Sequence, residues 1–454
     1  MAKPSRADLA ALIKVGRAAM RQGLSTPVVL RQQKTTADRK AKGRVWVSRV
    51  TLPAPAEDDI CQIVLEVTEK LDPGSADKVY PKPTVASVQA QWTGFRSGVA
   101  PKEPEPAISE AEKFCNLMSE VHSPTTILYT YGGGHYINGP ATRRAATAKL
   151  AELTGGRCLI LQHRLAPQNP FPAQLIDALT AYLCLLYPPP NSHHSPVLPS
   201  HIVLGGDSTG AQLAISLLQI ILAFHQIHGS SQTLNFHGKK VQLPVPAGLA
   251  VQSPAFDHNG YCVPSWYTNG PYDLMIEDWP AYKSDFPSDE AWPTNPPRAN
   301  FYCDASLLNH PLVSPIVTRT WKSAPPMYIA VGGAERILDS AKIVAQTAAN
   351  SGAAVLYDEY EHMPHNWPMV LPESVWPHTR RCYETWAQAC LMLASGVPVK
   401  TLGKLTTFDT LEIKEIDVKH LINITREEIE EALRKEQAGL KPWTGGSLKA
   451  KPLL

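Results

Sequence analysis

A chain of 454 residues with 44% hydrophobic side chains can hold one large domain or two of ordinary size, with ample material for a core. Its net charge of +2, without zinc-finger spacing or an aromatic RNA-binding signature, excludes an electrostatic case for nucleic-acid binding. Eight scattered cysteines, none in a C-x-x-C pair, indicate neither a zinc site nor a disulfide framework and point to reduced thiols.

Residues 1–43 form a basic N-terminal arm. From Lys3 to Arg44 the basic residues face only Asp8 and Asp38, while Leu9, Ile13 and their apolar neighbours recur as a helical stripe. Such a basic amphipathic helix is read as a helix packed over the body of the protein, in preference to a membrane-surface anchor or an organelle transit segment. The N-terminus lacks the apolar region of a signal peptide, so an intracellular, cytoplasmic location is expected, with peripheral membrane association through the arm as the alternative. No uninterrupted apolar run of membrane-spanning length is expected, because the stretch after Ser208 carries Gln212, Ser216 and Gln219 before His225. The sequon Asn423-Ile424-Thr425 is of a kind that arises often by chance.

Further along, "VWVSRVTL" (45–52) reads as a strand, "CQIVLEVTEKL" as an ordered element and "SVQAQWTGF" as a second strand. A helix is predicted over 107–121, opening near Ser109 with Glu110 and Glu112 in its first turn, and "TTILYTY" is a short strand running into Gly132-Gly133-Gly134. Strands and helices then alternate: helix 141–154, strand "RCLILQ", helix 171–186, strand "HIVLGG", helix from Ala211, strand "AGLAVQS". Alternation of this kind implies parallel strands joined by crossover helices. The rhythm breaks at about 257–307, where Trp266, Trp279, Trp292, Tyr261, Tyr267, Tyr272 and Tyr282 crowd an irregular insertion. It returns with strand "PMYIAVGG", helix 338–351, strand "AVLYDEY" and helix 373–393. Residues 396–454 are more polar and read as a peripheral extension with a charged, solvated helix capped by Thr425.

The chemistry gathers at three places. Gly206-Asp207-Ser208-Thr209-Gly210 puts a serine at a strand-to-helix turn whose flanking glycines avoid clashes and whose helix N-terminus favours developing negative charge. Upstream, the glycine triplet exposes main-chain amides, so Gly133 and Gly134, with the amide of Thr209, are the candidate oxyanion donors. Downstream come Glu335 after one late strand and His365 after the next, in the order nucleophile, acid, base. In that arrangement the histidine takes the Ser208 proton and returns it to the leaving group, while the carboxylate fixes its tautomer.

Several motifs in fixed order resemble those of the hormone-sensitive-lipase-like branch of the α/β-hydrolases, particularly its fungal esterase members. "YGGGHYINGP" resembles the oxyanion loop, "HRLAPQNPFPAQLIDA" the arginine-leucine-alanine-proline segment and "GGDSTGAQLA" the elbow; "HPLVSPI" precedes the acid strand, while "VGGAERILDSA" and "YEHMPHNW" carry the acid and histidine. The resemblance spans roughly 125–367. It implies a mainly parallel central sheet flanked by helices in residues 44–395, and a helical lid built from the arm and the insertion. It also implies a carboxylic-ester hydrolase working through an acyl-Ser208 intermediate on an acyl or acetyl ester of a hydrophobic small molecule or lipid, with no metal or organic cofactor. A biosynthetic enzyme performing cyclisation or elimination, and a non-catalytic binding protein on the same scaffold, are the alternatives. Nothing in the sequence sets an oligomeric state.

Three departures from the pattern stand out. Tyr131 takes the place of the histidine that usually opens the oxyanion loop; Glu335 replaces the commoner aspartate; and Gly333 stands where an acidic residue is usual. Asp339 is the rival acid, which the family register places on a separate, structural aspartate. His362 competes with His365, and the register "MPHNW" selects His365. His135 is expected to be a pocket wall, and Asp207 a structural hydrogen-bond acceptor rather than a base.

Overall fold

The chain is described by a computed structural model covering residues 4–72, 78–258, 262–276 and 286–443. The strands are β1 (Val45–Leu52), β2 (Val88–Phe95), β3 (Thr126–Thr130), β4 (Arg157–Gln162), β5 (Ile202–Asp207), β6 (Thr233–Phe236), β7 (Lys239–Gln242), β8 (Gly248–Gln252), β9 (Met327–Gly332), β10 (Val355–Tyr360), β11 (Leu402–Thr406) and β12 (Ile413–Ile416). The helices are α1 (Arg6–Leu24), α2 (Val28–Thr36), α3 (Asp59–Lys70), α4 (Glu110–Glu120), α5 (Arg144–Thr154), α6 (Ala173–Leu186), α7 (Thr209–His228), α8 (Pro264–Thr268), α9 (Leu338–Asn350), α10 (Trp367–Val370), α11 (Pro377–Ala394) and α12 (Arg426–Gly439).

One sheet of ten strands, ordered β1-β2-β4-β3-β5-β8-β9-β10-β11-β12, organises the molecule. Neighbours from β4 to β11 run parallel, while β1, β2 and β12 are antiparallel additions at the two ends. Every residue of β3, β5, β8 and β9 is buried, as expected of parallel strands covered by helices on both faces. Side chains alternate between two cores: Ile202 and Leu204 of β5 join Val64, Leu179, Leu217 and Val344 of the helices on one face, and Val203 joins Leu150 and Trp386 on the other.

The chain leaves β3 for β4 on one side and returns to β5 on the other. The carboxyl ends of β3 and β5 therefore flank a topological switch point, where open α/β sheets place their ligands. The glycine triplet follows β3 and Ser208 follows β5.

Local sequence explains three of the helix starts. Ser109 caps α4 in a reciprocal box with Glu112, Ser5 does the same for α1 with Asp8, and Thr425 for α12 with Glu428. Despite its glutamines and serine, α7 is long and apolar enough by length and composition to cross a membrane, contrary to the expectation. Here it is a core helix, buried from Thr209 to Phe224. Its buried glutamines and serine find partners: Gln212 Nε2 and Ser216 Oγ donate to the Leu312 carbonyl (2.8 and 2.9 Å) and Gln219 Nε2 to that of Pro311 (3.2 Å).

Two expectations need correction. The 396–454 segment is not wholly peripheral, because β11 pairs in parallel with β10 and carries β12 as the sheet edge. Its helix α12 is also less solvated than its charge implied, since Ile429 and Leu433 are buried beside Ile316, Val317 and Ile343. The arm packs against the body: Leu9 and Ile13 of α1 and Val28 of α2 are buried. Val28 joins Tyr136 of the glycine loop, Phe286, Trp292 and Phe301 of the insertion, and Trp443 in one apolar cluster. Trp279, Tyr261 and Tyr282 lie outside the described residues.

Candidate active site

Ser208 occupies the turn between β5 and α7 with φ 54° and ψ −128°, a conformation costly for a residue with a side chain. Main-chain bonds hold it there: its N–H donates to the Gln252 carbonyl, and its carbonyl accepts from Ala255, both at 3.2 Å. The turn is tight enough that a Cβ on Gly206 would sit 2.6 Å from the Thr130 oxygen, which explains the small residues around the serine. Although Ser208 is the N-cap of α7, its hydroxyl makes no capping bond and is available for other chemistry.

That hydroxyl meets His365 Nε2 at 2.9 Å, and His365 Nδ1 meets Glu335 Oε2 at 2.9 Å. Glu335 is fully buried, and Ser208 and His365 are each only 8% exposed. The other oxygen of Glu335 accepts from the Ser253 hydroxyl and the Gly332 N–H, both at 2.6 Å. Burial pushes the Glu335 carboxyl up to about 6, against the opposing pull of His365 and Ser253. Burial alone would lower the His365 imidazole, but the hydrogen bond and charge of Glu335, with Asp273 and Asp207 adding, hold it above its ordinary value. The imidazole is thus placed to accept a proton from Ser208 and to be stabilised once it carries it.

The glycine loop lies against the serine: a Cβ on Gly132 would fall 2.6 Å from the Ser208 Cβ. Gly133 and Gly134 follow directly, and Thr209 opens α7, where amides lack partners within the helix. Among the described residues, no main-chain carbonyl takes up the amides of Gly133, Gly134 or Thr209. Tyr131 does not anchor this loop through its hydroxyl, which has no partner among the described residues; its ring stacks on His163 at 4.6 Å. Instead Asn138 Nδ2 donates to the Gly132 carbonyl (2.9 Å), and the amides of Tyr136 and Ile137 donate to that of Gly133.

Each competing residue is engaged elsewhere. Asp339 accepts from the Ser265 N–H at 2.8 Å and tethers the insertion to α9. His362 is partly exposed, edges against Phe408 and lines a cavity of about 810 Å³ beneath α1. Asp207 accepts from Tyr129 (2.8 Å), from Arg143 through both oxygens (2.8 Å each) and from Asn366 (3.2 Å). Burial opposes its charge, yet Arg143 and Tyr129 hold its carboxyl below the ordinary range. His135 is buried, stacks on Tyr302 (3.8 Å) and bonds Gln212 Oε1 through Nε2 (2.5 Å); burial pushes its imidazole well down, leaving it neutral.

Sequence reasoning missed Ser253, Asn366 and Arg143, which support the triad and the elbow. Ser253 bridges Glu335 and the Asn366 N–H (3.0 Å). Its place directly after β8, adjoining the elbow strand β5, is the one signal in the sequence that marks it.

Comparison with known proteins bears on this geometry. A family model described as the alpha/beta hydrolase fold matches residues 127–369, more than half of the chain. An acetyl-hydrolase of Streptomyces hygroscopicus is 28% identical over 275 residues, covering 61% of this chain and 78% of that protein. An esterase of Acinetobacter venetianus is 24% identical over 255 residues, covering 56% and 71%. Among solved structures, the hormone-sensitive-lipase homologue EstE7 from a metagenome library shares the fold with a TM-score of 0.55 at 20% identity, covering 87% of this chain and all of its own. The chain belongs to the alpha/beta hydrolase fold family.

Proposed function

We propose that this protein hydrolyses carboxylic esters through an acyl-Ser208 intermediate, with His365 as general base and acid and Glu335 as its orienting carboxylate. The observation that carries the reading is the unbroken line from Ser208 Oγ to His365 to Glu335, with 2.9 Å at each link. Ser208 Oγ attacks the ester carbonyl carbon as its proton passes to His365 Nε2. The carbonyl oxygen becomes an oxyanion facing the amides of Gly133, Gly134 and Thr209, and collapse releases the alcohol with the proton from His365. Water, deprotonated by the same imidazole, then cleaves the acyl-enzyme and frees the acid.

The proposed substrate is an acyl or acetyl ester of a hydrophobic small molecule or lipid, with the arm and the insertion acting together as a lid. The shared cluster of Val28, Tyr136, Trp292 and Phe301 supports that lid, because it joins both segments to the glycine loop. The acetyl-hydrolase relative supports a short acyl group. Turnover of p-nitrophenyl esters of increasing chain length tests the assignment. Activity greatest on acetate and butyrate supports it, preference for long acyl chains revises the acyl group, and inertness on every ester contradicts it.

A further inference from the structure

Asp273, in the insertion, is fully buried, so its carboxylate does not reach solvent. Its Oδ1 accepts from the N–H of His365 at 2.6 Å, and its Oδ2 from the N–H of Arg336 at 2.8 Å. One of these amides belongs to the base itself and the other to the residue after the acid, so a single carboxylate spans the two loops that must hold His365 against Glu335.

The span is secured from outside. Arg17 of α1 donates through Nη1 to the carbonyls of Gly270 (2.6 Å), Asp273 (2.9 Å) and Met275 (2.9 Å). Arg336 returns from the acid loop to the same segment, donating to the carbonyls of Met275 (3.0 Å) and Trp266 (2.5 Å), with its guanidinium 5.2 Å from the Trp266 ring centre. A continuous chain of bonds thus runs from the arm through Asp273 to both catalytic loops.

We propose that Asp273 is a positioning residue for ester hydrolysis, coupling the N-terminal arm to the alignment of His365 with Glu335. The inference rests on the triad reading given above. A carboxylate suits both tasks: it accepts two amides at once, and its charge lies near the imidazole that must become cationic. The charged and titratable groups around this point are His365, Glu335 and Arg336 on the two loops, Asp207 at the end of β5, and Arg17 on the arm.

The test is Asp273→Asn beside Arg17→Gln, with kcat expressed per Ser208 titrated by an organophosphonate. Asparagine keeps the volume but can no longer accept both amides. We expect kcat per titrated site to fall by about tenfold or more, as a misplaced base would produce, with KM essentially unchanged. The acid limb of kcat/KM should move to lower pH, because a negative charge that favours the imidazolium is gone. Arg17→Gln, which alters no catalytic loop directly, should lower kcat in the same direction by a smaller factor, and it decides the matter alone if Asp273→Asn does not fold. Wild-type kcat per site with an unmoved acid limb in Asp273→Asn would overturn the positioning role; wild-type kcat in Arg17→Gln would overturn the coupling to the arm. If the wild-type protein neither turns over esters nor takes up the phosphonate, the triad reading fails by itself. The His365 titration followed by NMR in wild type and Asp273→Asn then still decides: a lowered midpoint supports the role and an unchanged one overturns it.

Discussion

Glu335 gives one oxygen to His365 Nδ1 at 2.9 Å and keeps the other for Ser253 and Gly332 at 2.6 Å. The carboxylate is thus held on both sides, and it leaves His365 a single useful tautomer, with the proton on Nδ1 and the lone pair of Nε2 directed at Ser208. Glu335→Gln should lose this control, because an amide can direct an N–H at the imidazole and favour the wrong tautomer. By analogy with carboxylate-to-amide exchange in serine triads, kcat on p-nitrophenyl acetate should fall by about 10⁴ with little change in KM. A loss under tenfold would argue that another group orients the base.

The pH profile follows from the direction of the His365 shift. His365 must be neutral to take the Ser208 proton, and its environment holds it above the ordinary 6.5. Activity should therefore rise with pH through a midpoint above 6.5 and be lost as His365 protonates below it. A kcat/KM profile whose acid limb lies below that value would contradict the environment described for the imidazole.

Asp207 tests structure rather than chemistry. Its carboxylate pairs with Arg143 in two hydrogen bonds inside the fold, with Tyr129 and Asn366 completing its shell. Asp207→Ala leaves a buried guanidinium without its partner and should cost about 3–5 kcal/mol of stability, read as a lowered denaturant midpoint. A change below about 1 kcal/mol would show that water reaches this site and replaces the carboxylate.

The elbow itself can be tested by adding one carbon. Gly206→Ala would put a Cβ 2.6 Å from the Thr130 oxygen and 2.8 Å from the Gly210 carbonyl carbon, both main-chain atoms with little freedom to move. The variant should lose about 1–3 kcal/mol and most of its activity, since any relief of the clash displaces Ser208. Thermal unfolding with active-site titration separates the two effects.

The sequence made the candidate triad legible because each member sits in a local pattern. Ser208 lies between small residues at a strand-to-helix turn, Glu335 just beyond β9, and His365 just beyond β10. The alternation of strands and helices likewise foretold the parallel sheet. What escaped was support arising only from tertiary packing: Ser253, Asp273 and Arg143 are ordinary residues in sequence and acquire their roles when separate loops converge. The hairpin β6–β7 was overlooked although His237 and Gly238, both at positive φ (48° and 75°), form the kind of two-residue turn that joins such strands. Strand β11 and the edge strand β12 were hidden because "LGKLT" and "IKEI" mix charge with apolar residues, as strands near a sheet edge do.

The most direct measurement is covalent. The intact protein, treated with a p-nitrophenyl alkylphosphonate, should gain one phosphonyl group on Ser208, identified by peptide mass spectrometry, as p-nitrophenyl acetate turnover disappears. Ser208→Ala should show neither adduct nor turnover. A wild-type protein that stays unlabelled, or a Ser208→Ala variant that still hydrolyses the ester at an undiminished rate, would contradict the nucleophilic role assigned to this serine.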